Sequence, residues 1–159
     1  MMKNSNRRKM AVFTMDLENF TDTGCIMDSD LKIDQDMLDG LDEYVSILDK
    51  YNIKATFFLL GSWTDDYHTE VQKIYDAGHE IGNHGYSHKD MPTMNYEDIL
   101  VDIQKCNETI RSITGHSPTL LRAPSGAYDN KTISAAENLG MTTIQWDVEP
   151  LAKVGNGYI

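Results

Sequence analysis

Gly78-His79-Glu80-Ile81-Gly82-Asn83-His84-Gly85-Tyr86-Ser87-His88 is a short, partly apolar run that ends in two imidazoles four positions apart. Neutral imidazole is the commonest protein ligand for zinc and similar metals, so His84 and His88, in a glycine-bearing segment, can converge on one cation. Two such ligands leave positions free for a carboxylate and a water, which is the layout of a hydrolytic metal site. Read alone, the pair is weak evidence and reads as two ordinary surface histidines. What decides between these readings is what the other strand ends supply.

Working outward, Met10 to Met15 reads as a first strand that stops at Asp16, and a polar loop with Gly24 follows. Asp34 is expected to open a helix whose Leu38, Leu41, Val45 and Leu48 repeat at helical spacing. Lys54 to Leu60 is apolar in its centre, as in a strand covered on both faces. Asp65 or Asp66 is expected to cap a helix carrying Val71, Ile74 and Ala77, with Gly78 at its end. His79 to Gly82 then reads as a third strand that delivers His84 and His88 at its far end. Asn95 caps a helix with the stripe Ile99, Ile103, Cys106, Ile110 and Ile113, and Gly115 terminates it. Leu120-Leu121-Arg122 reads as a fourth strand, Asn130 to Leu139 as a helix and Met141 to Val148 as a fifth strand. Strands alternating with helices predict an α/β fold, a parallel sheet or barrel with helices outside.

In such folds the reactive groups collect at the carboxyl ends of the strands. Those ends carry Asp16 and Glu18, then His84 and His88, then Arg122, Pro124 and Gly126, then Trp146 and Asp147. Four separately placed polar clusters on one rim carry more weight than any one of them.

Composition narrows the partners. The 159 residues suffice for one domain with one core. With 25 acidic and 14 basic side chains the formal net charge is −11, which repels phosphate backbones and anionic membranes. Nucleic acid and membrane are therefore not expected partners. No apolar run approaches the roughly 20 residues needed to span a bilayer. Residues 1–9 are basic, with no signal-peptide core after them, and read as a disordered arm on a cytoplasmic protein. Cys25 and Cys106 form no Cys-x-x-Cys pattern and read as two thiols.

With these residues in view, the sequence resembles the polysaccharide deacetylase family, the NodB-type carbohydrate esterases. Phe13-Thr14-Met15-Asp16 looks like the family's first motif, Thr-Phe-Asp-Asp-Gly. Gly78 through His88 is close to its second, the metal-binding His-Ser/Thr-x-x-His region. Arg122-Ala123-Pro124-Ser125-Gly126 is similar to its third, Arg-x-Pro-x-Gly, and Trp146-Asp147-Val148-Glu149-Pro150 to its fourth. The resemblance implies an irregular (β/α) barrel over residues 10–159, and a divalent metal, usually zinc, held by two histidines and a carboxylate. It also implies hydrolysis of an acetyl group from an N-acetylated polysaccharide or oligosaccharide. Asp16 would be the general base, with Arg122 pairing with it and fixing its orientation. The Ser125 N–H, in the turn shaped by Pro124 and Gly126, could add an oxyanion donor. Trp146 would be an apolar wall for the acetyl methyl. Arg122 could instead be a surface cation, Trp146 ordinary core, and Asp16 a solvated turn residue. His79 is expected to be structural, hydrogen-bonded beside the site, with His68 and His116 exposed.

Two departures from the family pattern stand out. Leu17 occupies the position after the base where the family commonly places its metal-binding carboxylate. Residues two apart in an extended segment point the same way, so Glu18 is expected to be the third ligand while Leu17 turns into the core. The second departure is at the end, where the family's Leu-x-His motif, with its general acid, has no counterpart after His116. About five parallel strands are thus expected, an incomplete barrel with an open edge. Either the chain is truncated or another subunit, as in a homo-oligomer, covers the gap. Two other functions stay open: an allantoinase-like amidohydrolase, and a catalytically silent glycan-binding module that keeps the metal.

Overall fold

The apolar run ending at Leu60 forms the strand from which the sheet grows, β2 (Thr56–Leu59), with every residue buried. The computed structural model describes residues 11–18 and 31–148, with the backbone alone at 31–36, and the backbone of two short strands, β6 (Lys153–Val154) and β7 (Gly157–Tyr158). The arm expected at residues 1–9, Cys25, Glu149 and Pro150 lie outside the described residues.

β1 (Thr14–Leu17) and β3 (Glu80–Asn83) flank β2, and β4 (Leu120–Leu121) and β5 (Thr142–Thr143) continue the sheet. All five are parallel, in the spatial order β1-β2-β3-β4-β5. Neighbours in space are neighbours in sequence, the order of a barrel wall, whereas a doubly wound sheet reverses its order partway. Among the described residues β1 and β5 are the two edges, so the wall is open. β6 and β7 pair antiparallel with one another.

Helices cover one face of this wall: α1 (Leu31–Lys50), α2 (Gly61–Asp66), α3 (His68–Asp76), α4 (Tyr96–Thr114) and α5 (Asn130–Asn138). Leu17, Phe57 and Leu59 pack on that face with Leu41, Leu48, Val71, Ile74, Cys106 and Ile110. Leu121 and Ala123 pack with Ile99, Ile103, Ala135 and Ala136. The stripe on α4 contributes to both clusters, so this helix joins the two halves of the core. Its N-terminus is closed by Asn95, whose side chain accepts from the Asp98 N–H at 2.8 Å, and its C-terminus by Gly115 with φ 77.

On the opposite face the strands carry Thr14 and Asp16, Thr56 and Phe58, and Glu80 and Gly82, lined up by the register Asp16↔Phe58↔Gly82. Gly82 is bare because Phe58 lies over it; a Cβ there would stand 2.4 Å from Phe58 Cδ1.

Several boundaries differ from the sequence reading. β1 runs from Thr14 to Leu17, because pairing with β2 sets its extent: Thr56 N–H bonds to Phe13 O and Leu60 N–H to Leu17 O. Asp16 therefore lies inside the strand. α1 begins at Leu31 and not at Asp34. The single helix expected from Asp65 or Asp66 is two, α2 and α3, and neither acid caps it; neither helix has a side-chain cap. The break falls at Tyr67, with φ −122 and ψ 48, while α2 itself starts at Gly61, where a Cβ would be 2.4 Å from Tyr86 Cδ2 and whose N–H bonds to Gly85 O. β3 runs one residue later than expected, Glu80–Asn83. β5 is two residues long and not the expected Met141 to Val148. Its neighbour β4 is equally short, and on its far side no described strand offers hydrogen bonds.

Ile103 is fully buried between α4 and β4. Truncating such a side chain removes both transfer energy and packing. Ile103→Ala is expected to lower the unfolding free energy by about 2–5 kcal/mol, read from urea denaturation of the metal-free chain.

Candidate metal and catalytic site

Parallel pairing brings four strand ends to one level. Beyond the last paired rung, His84 N–H bonds to Leu59 O, Arg122 N–H to Asn83 O and Ile144 N–H to Leu121 O. Glu18, His84 and Arg122 thus each stand one residue past the end of β1, β3 and β4. Alternation along β1 turns Leu17 into the core, 7% exposed, and leaves Asp16 and Glu18 facing His84.

Glu18, His84 and His88 each offer one ligand atom, and these atoms all lie within 4.8 Å of one another. Glu18 Oε2 is 3.4 Å from His84 Nε2 and 2.5 Å from His88 Nε2. The other nitrogen of His84, Nδ1, is 2.9 Å from the Arg122 carbonyl oxygen. A carbonyl can only accept, so the neutral ring carries its proton on Nδ1 and presents its Nε2 lone pair to the carboxylate. Lone pair then faces lone pair inside the protein, an arrangement that a shared cation resolves. This donor set, two imidazoles and a carboxylate, fits zinc or a similar divalent ion. Burial on its own would raise the Glu18 pKa, but in acid, where the imidazoles of His84 and His88 carry protons and face the carboxylate as cations, their hydrogen bonds and charge outweigh it and bring the group down to about 2.

Asp16 sits beside this triad, its Oδ2 3.9 Å from His84 Nε2. Its Oδ1 accepts from Arg122 Nη1 at 2.7 Å, while Arg122 Nη2 donates to Thr14 Oγ1 at 2.9 Å. The Arg122 side chain is 4% exposed, so it is no surface cation. Its guanidinium lies 4.1 Å from the centre of the Phe58 ring and 5.5 Å from that of Trp146, contacts that favour a cation over an aromatic face. Trp146 is 37% exposed and stands at the rim, against Gly126, and is not part of the core. Pro124 is buried and comes against Gly85 of the histidine loop. Ser125 takes φ 56 in the turn Pro124–Gly126, and Gly126 takes φ 63.

His79 is structural but does not lie beside the site. Its Nδ1 accepts from the Ala55 N–H at 3.3 Å and its ring packs on Phe57. Parallel register places it before β3, at the entry end of the sheet, opposite the end that carries His84. Burial, and then the charge of Lys54, lower its pKa.

Three further residues shape the site: Thr14, which holds the second arm of Arg122, and Asn83 and Asp102, which hold the histidine loop. Asp102 left a signal in the sequence, an acid between Ile99 and Cys106 on the apolar stripe of α4.

The polysaccharide deacetylase family model matches residues 30–144, and the chain belongs to that family. The Bacillus subtilis (strain 168) protein YlxY, described as uncharacterized, is 37% identical over 111 residues, 70% of this chain and 35% of that protein. A peptidoglycan-N-acetylglucosamine deacetylase of Bacillus cereus is 35% identical over 106 residues, 65% of this chain and 38% of that protein. Among solved structures, BA3943 of Bacillus anthracis, described as a CE4 family pseudoenzyme, aligns with a TM-score of 0.72 at 28% identity over 88% of this chain and 44% of that one. A mutant of it is described as having restored enzymatic activity. The chain spans less than half the length of each of these proteins.

The depressed Glu18 pKa has a definite sign. Unfolded, the group takes up its proton near the ordinary 4.5; folded, it does so near 2. The stability that ionised Glu18 contributes is therefore complete above 4.5 and is lost as pH falls towards 2. In chelator, the difference in unfolding free energy between the chain and Glu18→Gln should shrink as the pH falls across that acid window.

Proposed function

We propose that the chain carries the metal-holding and base-bearing part of a hydrolase that removes acetyl groups from an N-acetylated glycan. Glu18, His84 and His88 would hold a divalent cation, zinc in the simplest case. The observation that carries this reading is the His84 Nε2 lone pair turned on the Glu18 carboxylate, with the ring's other nitrogen held by the Arg122 carbonyl. Membership of the polysaccharide deacetylase family supports it, as does a relative that is a peptidoglycan-N-acetylglucosamine deacetylase.

An acetamide resists water, so its hydrolysis needs a stronger nucleophile and a stabilised oxyanion. A bound divalent ion supplies Lewis acidity for both needs. Asp16 is the carboxylate placed to take a proton from the attacking water, and Arg122 and Thr14 keep it at one angle. Arg122 is itself pinned by Phe58, so the base has little freedom to swing away. The turn Pro124–Gly126 borders the site and would offer the Ser125 N–H to the developing oxyanion. Trp146, beside that turn, gives the acetyl methyl an apolar surface.

A second reading is a module that keeps cation and glycan without turnover. The structural likeness to a protein described as a pseudoenzyme favours it.

Metal analysis combined with acetate release from N-acetylglucosamine oligomers tests the proposal. The chain is expected to hold about one divalent ion per molecule and to release acetate, and His84→Ala to lose both. Asp16→Asn should keep the ion while acetate release falls by about 100-fold or more. Metal uptake without any acetate release by the unaltered chain would select the second reading.

A further inference from the structure

The loop that carries both imidazoles is held from behind by one side chain of α4. Asp102 Oδ2 accepts from the Tyr86 N–H at 2.7 Å and its Oδ1 from the Ser87 N–H at 3.1 Å. Each carboxylate oxygen thus takes one of the two amides immediately before His88. The two amides before these are also engaged: His84 N–H bonds to Leu59 O, and Gly85 N–H to Asn83 Oδ1 at 2.7 Å. Asn83 is tied to the same helix, its Nδ2 donating to Ile103 O and to Asn107 Oδ1.

The two histidines reach their positions by different means. His84 continues β3, and its ring is fixed by the Arg122 carbonyl. His88 lies past the end of the sheet with φ 55, in the left-handed region that a residue with a side chain rarely enters. A backbone held there needs its surroundings to impose it, and the amides just before it end on Asp102. Gly85 allows the approach, since a Cβ there would stand 2.9 Å from Asp102 Oδ2.

We infer that Asp102 is a positioning residue for the metal centre, a two-oxygen clamp on the Tyr86 and Ser87 amides that sets the backbone of His88 and so its place as a ligand. The inference rests on the metal reading given above for Glu18, His84 and His88. It is specific about the route: Asp102 acts through His88, and neither through His84 nor by its charge alone.

The discriminating experiment is a double-mutant cycle on zinc affinity, measured by competition with a chelator of known strength. Asp102→Asn replaces one acceptor oxygen by an NH₂ that faces an N–H donor, and Asp102→Glu keeps the charge but shifts the oxygens. Each is expected to weaken zinc binding about 10-fold or more, the scale typical of supporting residues around a metal. In a His88→Ala background the effect of Asp102→Asn should shrink to less than about twofold, the non-additivity of residues that act through one another. An equal loss in both backgrounds would mean that Asp102 acts by charge or by general loosening, and affinities unchanged by both substitutions would also overturn the inference. If Asp102→Asn does not fold, as judged by thermal unfolding of the metal-free chain, Asp102→Glu carries the same cycle.

Amide hydrogen exchange on the metal-free chain separates this inference from the metal reading. The Tyr86 and Ser87 amides should exchange at least about 10-fold faster in the Asp102 variant, with the amides of β2 unchanged. If the unaltered chain takes up no zinc, the metal reading falls while faster exchange still supports the clamp. Unchanged protection at Tyr86 and Ser87 would sink the clamp whatever the metal result.

Discussion

Arg122 is the residue on which the site depends, because it engages two different groups at once. Its carbonyl takes the Nδ1 proton of His84, and its guanidinium pairs with Asp16, more than a hundred positions earlier in the chain. The tautomer of a candidate ligand and the angle of a candidate base are thereby fixed by one side chain and its own backbone. A buried cation is tolerable only when paired and hydrogen-bonded, and Arg122 meets that condition through Asp16, Thr14 and the face of Phe58. Neutralising Asp16 would leave the guanidinium inside the protein without its counter-charge, so the pair constrains both partners.

Much of this was readable in the residues. The stripe on α4, the apolar run of β2 and the alternation of strand and helix follow from periodicity, and they place the strand ends on one rim. The exchange of roles between Leu17 and Glu18 follows from the two-residue repeat of a strand, and the structure places both side chains as that repeat requires. Boundaries were less legible. β1 extends to Leu17 because β2 offers it hydrogen bonds, and β5 is short because among the described residues it pairs only with the equally short β4; neither fact is a property of the strand's own sequence. His79 was misplaced for a related reason. Its closeness to His84 in sequence becomes, in an extended chain, the length of a strand in space.

The supporting residues were the least legible. Thr14, Asn83 and Asp102 act by hydrogen bonds between elements far apart in sequence, and no local pattern announces such a bond. Asp102 comes nearest to an exception. An acid on the buried side of an amphipathic helix has to find donors, and unpaired loop amides are the usual source. The start of α2 at Gly61 belongs to the same group, since there the chain docks on Gly85 and Tyr86.

Gly82 lies inside β3 and carries no group that could react. Phe58 fills the space it leaves, and the guanidinium of Arg122 rests on Phe58. The missing side chain therefore sets the level of everything stacked above it. A single methyl at that position would collide with the ring that supports the cation paired with Asp16. The layout of the rim thus rests on a side chain that is missing one layer down, which no inspection of polar groups alone would find.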